Sequence, residues 1–412
     1  MFKIRIFPRF FVSLPRQFTS FLTLWTKIVL EQHMKLEHLS IVNYKNIREA
    51  DLAFSPGVNC LVGKNGMGKT NLLDAIYYLS FCKSFNGVTD SQVMTHGEEF
   101  FMLNGQYELN GEAEDIRCGY KLHSRKSFKR GGKEYQRLSD HIGLLPIVLL
   151  TPSDSVILQG GSEERRKFMD MVISQFNKPY LNALIRYNQA LLQRNSMLKQ
   201  EPPCTDPLLY QTCEEQMDFY GRMIYAARRQ FVDDFTPVFQ EFYSQISMDR
   251  ERVSIGYTSH FEGGQSLLPL LNAVRNRDLA LGYTTRGAHK DDLVFQIGDY
   301  QMKQQGSQGQ NKTFLVGLKL AQFDFLRRMG HTTPILLLDD IFDRLDSDRV
   351  EQIIRLVASD RFGQIFITDT NREYLDRIID RCTENYKLFE VSNGGYFIST
   401  FASAKVDDSK GF

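Results

Sequence analysis

Lys69 and Thr70 close the segment Gly63-Lys64-Asn65-Gly66-Met67-Gly68-Lys69-Thr70, which fits the pattern G-x-x-x-x-G-K-[ST]. Glycines at these positions let successive backbone N–H groups face one hollow, and Lys69 adds a full positive charge to it. A hollow of that kind suits the β- and γ-phosphates of a nucleoside triphosphate, and the Thr70 hydroxyl can ligate Mg2+. A second cluster supplies the complementary chemistry. In Pro334-Ile335-Leu336-Leu337-Leu338-Asp339-Asp340, an aliphatic run ends in a pair of acids. An acid at the end of such a strand belongs beside a phosphate loop, where Asp339 can hold the Mg2+ shell. Asp340 is placed to accept a proton from an attacking water. A third segment, Gly306-Ser307-Gln308-Gly309-Gln310, opens a helical pattern from about Asn311 to Arg328. Ser-x-Gly-Gln at a helix start offers backbone donors, a hydroxyl and the positive end of a helix dipole. Lys69 already serves the phosphates on its own face, so this second anion site suggests the nucleotide of another copy, with ATP sandwiched between two heads. The same residues would also serve as a polar cap on a core helix.

These groups need elements to carry them. Val58 to Val62 reads as a short buried strand, and Asn71 to Phe81 as a helix with Leu72, Leu73, Ile76 and Leu79 on one face. The strand before Asp339 is apolar throughout, as in a parallel sheet covered on both faces. Lys69 and Asp339 lie far apart in the chain yet must line one pocket, so the head is discontinuous and something is inserted. The N-terminal piece is strand-rich: Phe100 to Leu109 and Asp115 to Leu122 look like hairpin strands, Gly131-Gly132 marks a turn, and Ile147 to Leu150 is a core strand. From Ser162 the pattern becomes helical, with Pro179 opening a second helix and Pro207 a third; Pro237 should kink or interrupt that third helix. Its apolar stripe is too short for a long coiled coil and fits packing inside a helical lobe. Strands return at Val253 to Tyr257 and Leu293 to Ile297, followed by alternating helix and strand after Asp340. The expected organisation is α/β: a P-loop ATPase head of residues 34–160 and 280–400, a mixed sheet with flanking helices, carrying an inserted, mostly helical lobe of residues 161–279. Residues 401–412 read as a flexible tail.

The order of phosphate loop, Ser-x-Gly-Gln, aliphatic strand with Asp-Asp, and then Leu345-Asp346 resembles ABC-type ATPase heads of the SMC and Rad50 group. More closely, residues from Met34 to about Ser399 resemble the RecF family of bacterial DNA replication and repair ATPases. The resemblance rests on Leu36-x-x-Leu39-x-Ile41-x-Asn43-Tyr44-Lys45-Asn46, on Gly63 to Asn71, and on Ser162-x-x-Arg165-Arg166-x-Phe168-x-Asp170. It rests also on Tyr187-x-x-x-Leu191-x-Gln193-Arg194-Asn195, Gly287-Ala288-His289-Lys290-Asp291-Asp292, Ser307 to Gln310 and Leu336 to Asp340. It implies nucleotide contacts from Lys45, from every residue between Gly63 and Asn71, and from Ser307, Gly309 and Gln310. Mg2+ falls to Thr70 and Asp339, and catalysis to Asp340, Asp339 and Lys69. It further implies an ATP-dependent homodimer, double-stranded DNA at single-strand gaps, slow DNA-stimulated hydrolysis, and RecR and RecO as partners. The chain departs from the family pattern at Ala288 and Lys290, where Pro and Arg are usual, and at Asn311 and Lys312, where Gln and Arg are usual. Lys is not equivalent to Arg in planar, bidentate contacts. Thr368-Asp369-Thr370 stands where ABC ATPases often carry a switch histidine.

Composition is that of an ordinary globular protein, 42% hydrophobic and 24% charged over 412 residues, a length that suggests two domains. A formal net charge of +1 gives no global pull on nucleic acid, so DNA binding needs a local patch. Lys121, Arg125, Lys126, Lys129, Arg130, Lys133 and Arg137 supply one against the single acid Glu134, with Phe128 and Tyr135 interleaved. Such a hairpin could track a phosphate backbone with little sequence readout; a strand edge guarded by lysines has the same composition. Arg165, Arg166 and Arg194 are expected to hold the lobe to the head through carboxylates. The six cysteines form no C-x-x-C pair, which fits a reducing cytoplasm. No apolar run is long enough to span a membrane. Residues 1–33 are basic, with no acid before Glu31. Since the family-like pattern starts at Met34, they are expected to be upstream sequence read from an early start codon. Rival readings are a transporter's nucleotide-binding subunit, which predicts a chain about half as long without the helical insert, a head fused to a nuclease, and an ATP-gated adaptor that does not hydrolyse.

Overall fold

The computed structural model describes residues 34–398 except 202, 203, 205, 331, 344, 360 and 382–384. The expectations for residues 1–33 and 401–412 lie outside the described residues. In chain order, β1 (Met34–Tyr44) and β2 (Ile47–Ala53) form an antiparallel ribbon, and β3 (Val58–Val62) leads through the phosphate loop into α1 (Lys69–Phe81). The hairpins β4 (Phe100–Leu109) with β5 (Glu112–Lys121) and β6 (Ser127–Arg130) with β7 (Lys133–Glu134) precede β8 (Ile147–Leu150). Helices α2 (Ser162–Phe176), α3 (Lys178–Leu198) and α4 (Pro207–Ser247) follow. Then come β9 (Val253–Thr258), α5 (Leu268–Leu281), β10 (Asp292–Ile297), β11 (Tyr300–Gln301) and α6 (Gln308–Gly330). The chain continues through β12 (Ile335–Asp339), α7 (Ser347–Val357), β13 (Ile365–Asp369), α8 (Arg372–Ile379), β14 (Tyr386–Ser392) and β15 (Gly395–Ile398).

A 6-stranded sheet in the order β15-β14-β3-β13-β12-β8 holds the phosphate-loop strand and the acidic strand one place apart, with β13 between them. All but β15 run parallel to their neighbours. Every residue of β12 and β13 is buried, as the unbroken apolar runs require. A second 6-stranded sheet, β2-β1-β4-β5-β6-β7, is antiparallel and stacks over the first with α1 between them. That sandwiched position explains why α1 is apolar nearly all round: Leu72, Leu73, Ala75, Ile76, Tyr78 and Leu79 are all fully buried.

Helices α2, α3, α4 and α6 share one core with the other face of the parallel sheet. Phe231, Phe235 and Phe239 of α4 pack with Phe314 and Phe325 of α6, and one continuous core includes residues of both. Of the two outcomes expected at Pro237, a kink or an interruption, the second does not occur: α4 runs from Pro207 to Ser247 with Pro237 inside. Burial of Phe235, Val238, Phe239 and Phe242 around it outweighs the lost backbone bond. The three arginines differ in what they join. Arg165 of α2 forms a two-pronged contact with Asp292 of β10 at 2.6 and 3.0 Å, and Arg166 donates to the Asp291 carbonyl at 2.7 Å, both across the expected boundary. Arg194 pairs its charge with Glu214 and Asp278, inside the helical region, and also donates to the Thr284 hydroxyl at 2.8 Å, past the expected boundary.

The Gly-x-His-x-Asp-Asp segment is built into this junction. Gly287 has φ +127°, and a Cβ there would lie 2.3 Å from the Tyr187 hydroxyl, so only glycine fits. His289 is held between the Thr284 carbonyl at Nε2, 2.9 Å, and the Tyr187 hydroxyl at Nδ1, 2.8 Å. His141 is held likewise by the Leu79 carbonyl, 2.7 Å, and the Tyr135 hydroxyl, 3.1 Å. Burial pushes both imidazoles down to about 4. A histidine held neutral in the fold makes the unfolded chain bind more protons below its ordinary value of about 6.5. Stability from these groups is therefore full above that pH and is lost as pH falls toward 4. The melting temperature should drop steadily between about pH 6.5 and 4.5, and His141→Gln or His289→Gln should flatten the slope. An unchanged slope in both variants would assign the acid sensitivity elsewhere.

Candidate functional site

Backbone geometry shapes the loop first. Gly66 and Gly68 have φ +81° and +119°, and a Cβ on Gly68 would lie 3.1 Å from the Asn46 side chain. The loop therefore turns tightly against β1–β2 before α1 begins. Asn46 ties it down: its Nδ2 donates to the Gly66 carbonyl at 3.3 Å, and its Oδ1 accepts from Asn71 at 2.7 Å. Tyr396 of β15 closes the other side by donating to the Gly68 carbonyl at 2.9 Å. Neither Asn46 nor Tyr396 carried a role in the sequence expectations. Asn46 stands inside a matched motif, whereas Tyr396 had no local signal.

Lys69 curls back over the loop, its Nζ 2.5 Å from the Gly63 carbonyl and 3.1 Å from that of Lys64. Burial pushes its pKa down, against the opposing pull of Asp339, Asp340 and Asp369. The Thr70 hydroxyl lies 3.0 and 2.9 Å from the two Asp339 oxygens, so the ends of α1 and β12 meet as predicted. Thr368 of β13 donates to Asp339 at 2.6 Å. Burial pushes the Asp339 carboxyl up, while its bonds to Thr368 and Thr70 act the other way. A hydroxyl and a carboxylate juxtaposed at a phosphate loop are a hard oxygen donor set, which fits Mg2+ with its remaining positions held by water and phosphate oxygens.

Asp340 leaves the strand with φ +50°, a turn that Asp tolerates, and donates its N–H to the Thr368 carbonyl at 3.1 Å. The resulting cleft, of about 250 Å³, is lined by Asn65, Gly66, Gly68, Lys69, Thr70 and Asn71 with Asp339, Asp340, Thr368 and Pro152. Lys64 contributes its carbonyl to Lys69, and Met67 turns its sulfur to the Asn393 N–H at 3.4 Å. Lys45 is a correction. Its ammonium lies 2.6 Å from the fully buried Asp74 of α1, an ion pair within the head, and it does not line the cleft. Asp369, unassigned from sequence beyond its place in the switch position, is buried beside the cleft and accepts the Asn371 N–H at 2.6 Å; burial pushes its pKa up.

Ser307 and Gln310 cap α6 reciprocally: Gln310 Oε1 accepts the Ser307 N–H at 2.8 Å, and Ser307 Oγ accepts the Gln310 N–H at 3.2 Å. This is the capping-box arrangement. Both the cap and the anion-site expectation thus describe the same residues. Ser307, Gly309 and Gln310 do not line the cleft that holds Lys69, although Lys312, one turn on, reaches the Asp340 carbonyl at 3.2 Å.

The basic segment divides. Lys121, Arg125 and Lys133 are exposed and Lys129 is half-buried at one edge of the antiparallel sheet. Lys126 is a correction: its ammonium bonds the Tyr78 hydroxyl, the Cys82 carbonyl and Asp90 at 3.0, 2.7 and 3.0 Å, pinning the hairpin to α1. Arg130 grips Glu114 on the adjoining strand with both prongs, and its charge is matched there. Phe128 is buried against Tyr135 and His141, so it cannot stack on a base. No helix among the described residues is long and apolar enough to cross a membrane.

Comparison with known proteins agrees with this architecture. The family model described as "RecF/RecN/SMC N terminal domain" matches residues 35–395. The DNA replication and repair protein RecF of Phocaeicola vulgatus is 55% identical over 363 residues, covering 88% of this chain and 97% of that protein. The RecF of Bacteroides fragilis is 56% identical over 362 residues with the same coverage. Among solved structures, a recombination mediator protein RecF with ATP, described as part of the RecFOR pathway, is similar with a TM-score of 0.80 and 28% identity, covering 89% of this chain and 98% of that one. An Smc head domain from Pyrococcus furiosus shares the fold, with a TM-score of 0.54 and 16% identity over 89% of this chain and 96% of that one.

Proposed function

The chain belongs to the RecF family of DNA replication and repair proteins, with the ABC-type ATPase fold, and from that premise we propose that it is an ATPase that dimerises on ATP and clamps duplex DNA near single-strand gaps. The supporting observation is the split between two half-sites. Lys69, Thr70, Asp339 and Asp340 share one cleft, while the capped start of α6 presents Ser307 and Gly309 outside it. The positive end of this helix lies outside its own chain's phosphate cleft, where it can face a second copy's nucleotide. Lys69 and the loop N–H groups bind the phosphates, Thr70 and Asp339 hold Mg2+, and Asp340 takes the proton from the attacking water. Mg2+ supplies charge neutralisation at the phosphate oxygens. The RecFOR description of a relative supports RecR- and RecO-type partners for this chain.

Sedimentation velocity tests the central claim. The protein should be a monomer without nucleotide and shift toward a dimer with Mg-ATP, more strongly when duplex DNA is present. A sedimentation coefficient unmoved by ATP and DNA would refute the clamp and favour a monomeric adaptor.

For DNA, the free charges of the hairpin edge are the ones that matter. Reversing Lys121, Arg125 and Lys133 together to Glu should weaken duplex binding by at least about tenfold and lower the slope of log K against log salt by roughly three. Lys126→Ala should instead cost stability, because it removes the ammonium that pairs with Asp90 and the donor to the Cys82 carbonyl. Wild-type affinity in the triple variant would return this edge to the role of a guarded strand.

A further inference from the structure

Glu251 lies just after α4 and just before β9, at a hub that no motif marks. Its carboxylate accepts Nε2 of Gln310 at 3.0 Å, a guanidinium nitrogen of Arg349 at 3.4 Å, and the Tyr243 hydroxyl. Two of these donors, Gln310 and Arg349, lead on to other segments. Gln310 holds the Ser307 backbone through its other amide atom at 2.8 Å. Arg349, on the first turn of α7, donates to Thr313 Oγ1 at 2.6 Å, and Thr313 donates to the Gly309 carbonyl at 2.9 Å. Arg349 also pairs with Asp346 at 3.1 Å. The Ser307–Gln310 helix start and the Leu345-Asp346 turn are thus bound to one carboxylate, and that carboxylate belongs to the segment leaving the longest helix of the inserted region. The Glu251 and Arg349 side chains are mostly buried, so their link is little screened by solvent.

We infer that Glu251 is a positioning residue that joins the Ser307–Gln310 helix start to the Asp346 turn as one rigid surface for the opposite protomer's nucleotide. This rests on the two-headed reading above. A buried acid serving only the fold would affect stability and leave association alone once folding is complete. A positioning acid acts on association: the free energy of dimerisation must then include re-ordering the surface, while the monomer's own cleft, which Glu251 does not touch, keeps its ATP affinity.

The test uses the full chain with Mg-ATP. Glu251→Gln keeps the shape and removes the charge, and Arg349→Met removes the other half. Each should keep monomer ATP affinity within about twofold and weaken ATP-dependent dimerisation at least about tenfold, and the double variant should be little worse than either single one, since the links form one chain. Ser307→Arg runs beside them as the control. If it blocks dimerisation while Glu251→Gln dimerises as wild type, the positioning role is wrong and the two-headed reading stands. If Ser307→Arg dimerises normally, the reading beneath fails. Should Glu251→Gln melt far below wild type, Arg349→Lys carries the same test, because it keeps the charge and loses the planar fork.

Discussion

Asp340→Asn should hydrolyse ATP about 10²- to 10⁴-fold more slowly than wild type, the usual range for loss of a general base, while binding ATP with little change. The geometry makes this substitution unusually selective. Asp340 has φ +50°, and its backbone bonds both the Thr368 carbonyl and the Lys312 ammonium. Asn is among the few residues that accept this left-handed conformation, so the turn survives and only the proton acceptor is lost. Alanine there would add backbone strain and confuse the result. Lys69, Thr70 and Asp339 are untouched, so nucleotide and Mg2+ remain held. ATP-bound protein that cannot hydrolyse should then accumulate as dimer. Single-turnover hydrolysis and equilibrium ATP binding, measured on the same preparation, decide the matter. Wild-type turnover would remove Asp340 as the base. Asp339 is the weaker substitute, because Thr70 and Thr368 already bond its carboxylate.

The half of the site carried by Lys69 and Asp339 was legible in the sequence because its determinants are local. Glycine spacing sets the turn of the loop, and unbroken apolar runs mark β3 and β12 as strands buried on both faces. Their adjacency followed from chemistry: a lysine loop and a paired acid have to share a phosphate. What failed to show was whatever depends on contacts between distant segments. Lys126 and Lys121 look alike in a basic run, yet stacking of the antiparallel sheet on α1 brings Asp90 to the first and leaves the second in water. Lys45 sits in a matched motif, but Asp74, buried on α1, captures it. Pro237 carries the local signal of a helix break, and the aromatic packing of α4 on α6 overrides it. Glu251 has no signal at all, since an isolated acid between a helix and a strand is ordinarily a solvated one.

Mixing two inactive proteins should restore activity. Lys69→Met removes the full charge from the phosphate hollow, and that variant should lose useful ATP binding. Ser307→Arg leaves the cleft intact, so its monomer should bind ATP normally. It sets a bulky cation at the exposed start of α6, where the partner's nucleotide would dock, and ATP-driven dimerisation of the variant with itself should fail. In the mixed dimer the intact phosphate loop of the Ser307→Arg chain faces the intact Ser307–Gln310 start of the Lys69→Met chain. One complete site forms and the other is doubly broken. The expected activity is therefore up to about half of wild type per mixed dimer, on the premise that the composite site keeps its full transition-state contacts. The alternative makes a different forecast. If Ser307 served only its own chain as the cap of α6, each protomer would carry its own lesion, and mixing would restore nothing. Inactivity in a mixture shown by cross-linking to contain heterodimers leaves that reading, or a requirement that both sites fire together. Labelling one variant with a tight nucleotide analogue separates these, because binding across the interface stabilises the heterodimer whether or not hydrolysis follows. A heterodimer that the analogue does not stabilise would place Ser307 within its own chain and end the sandwich model.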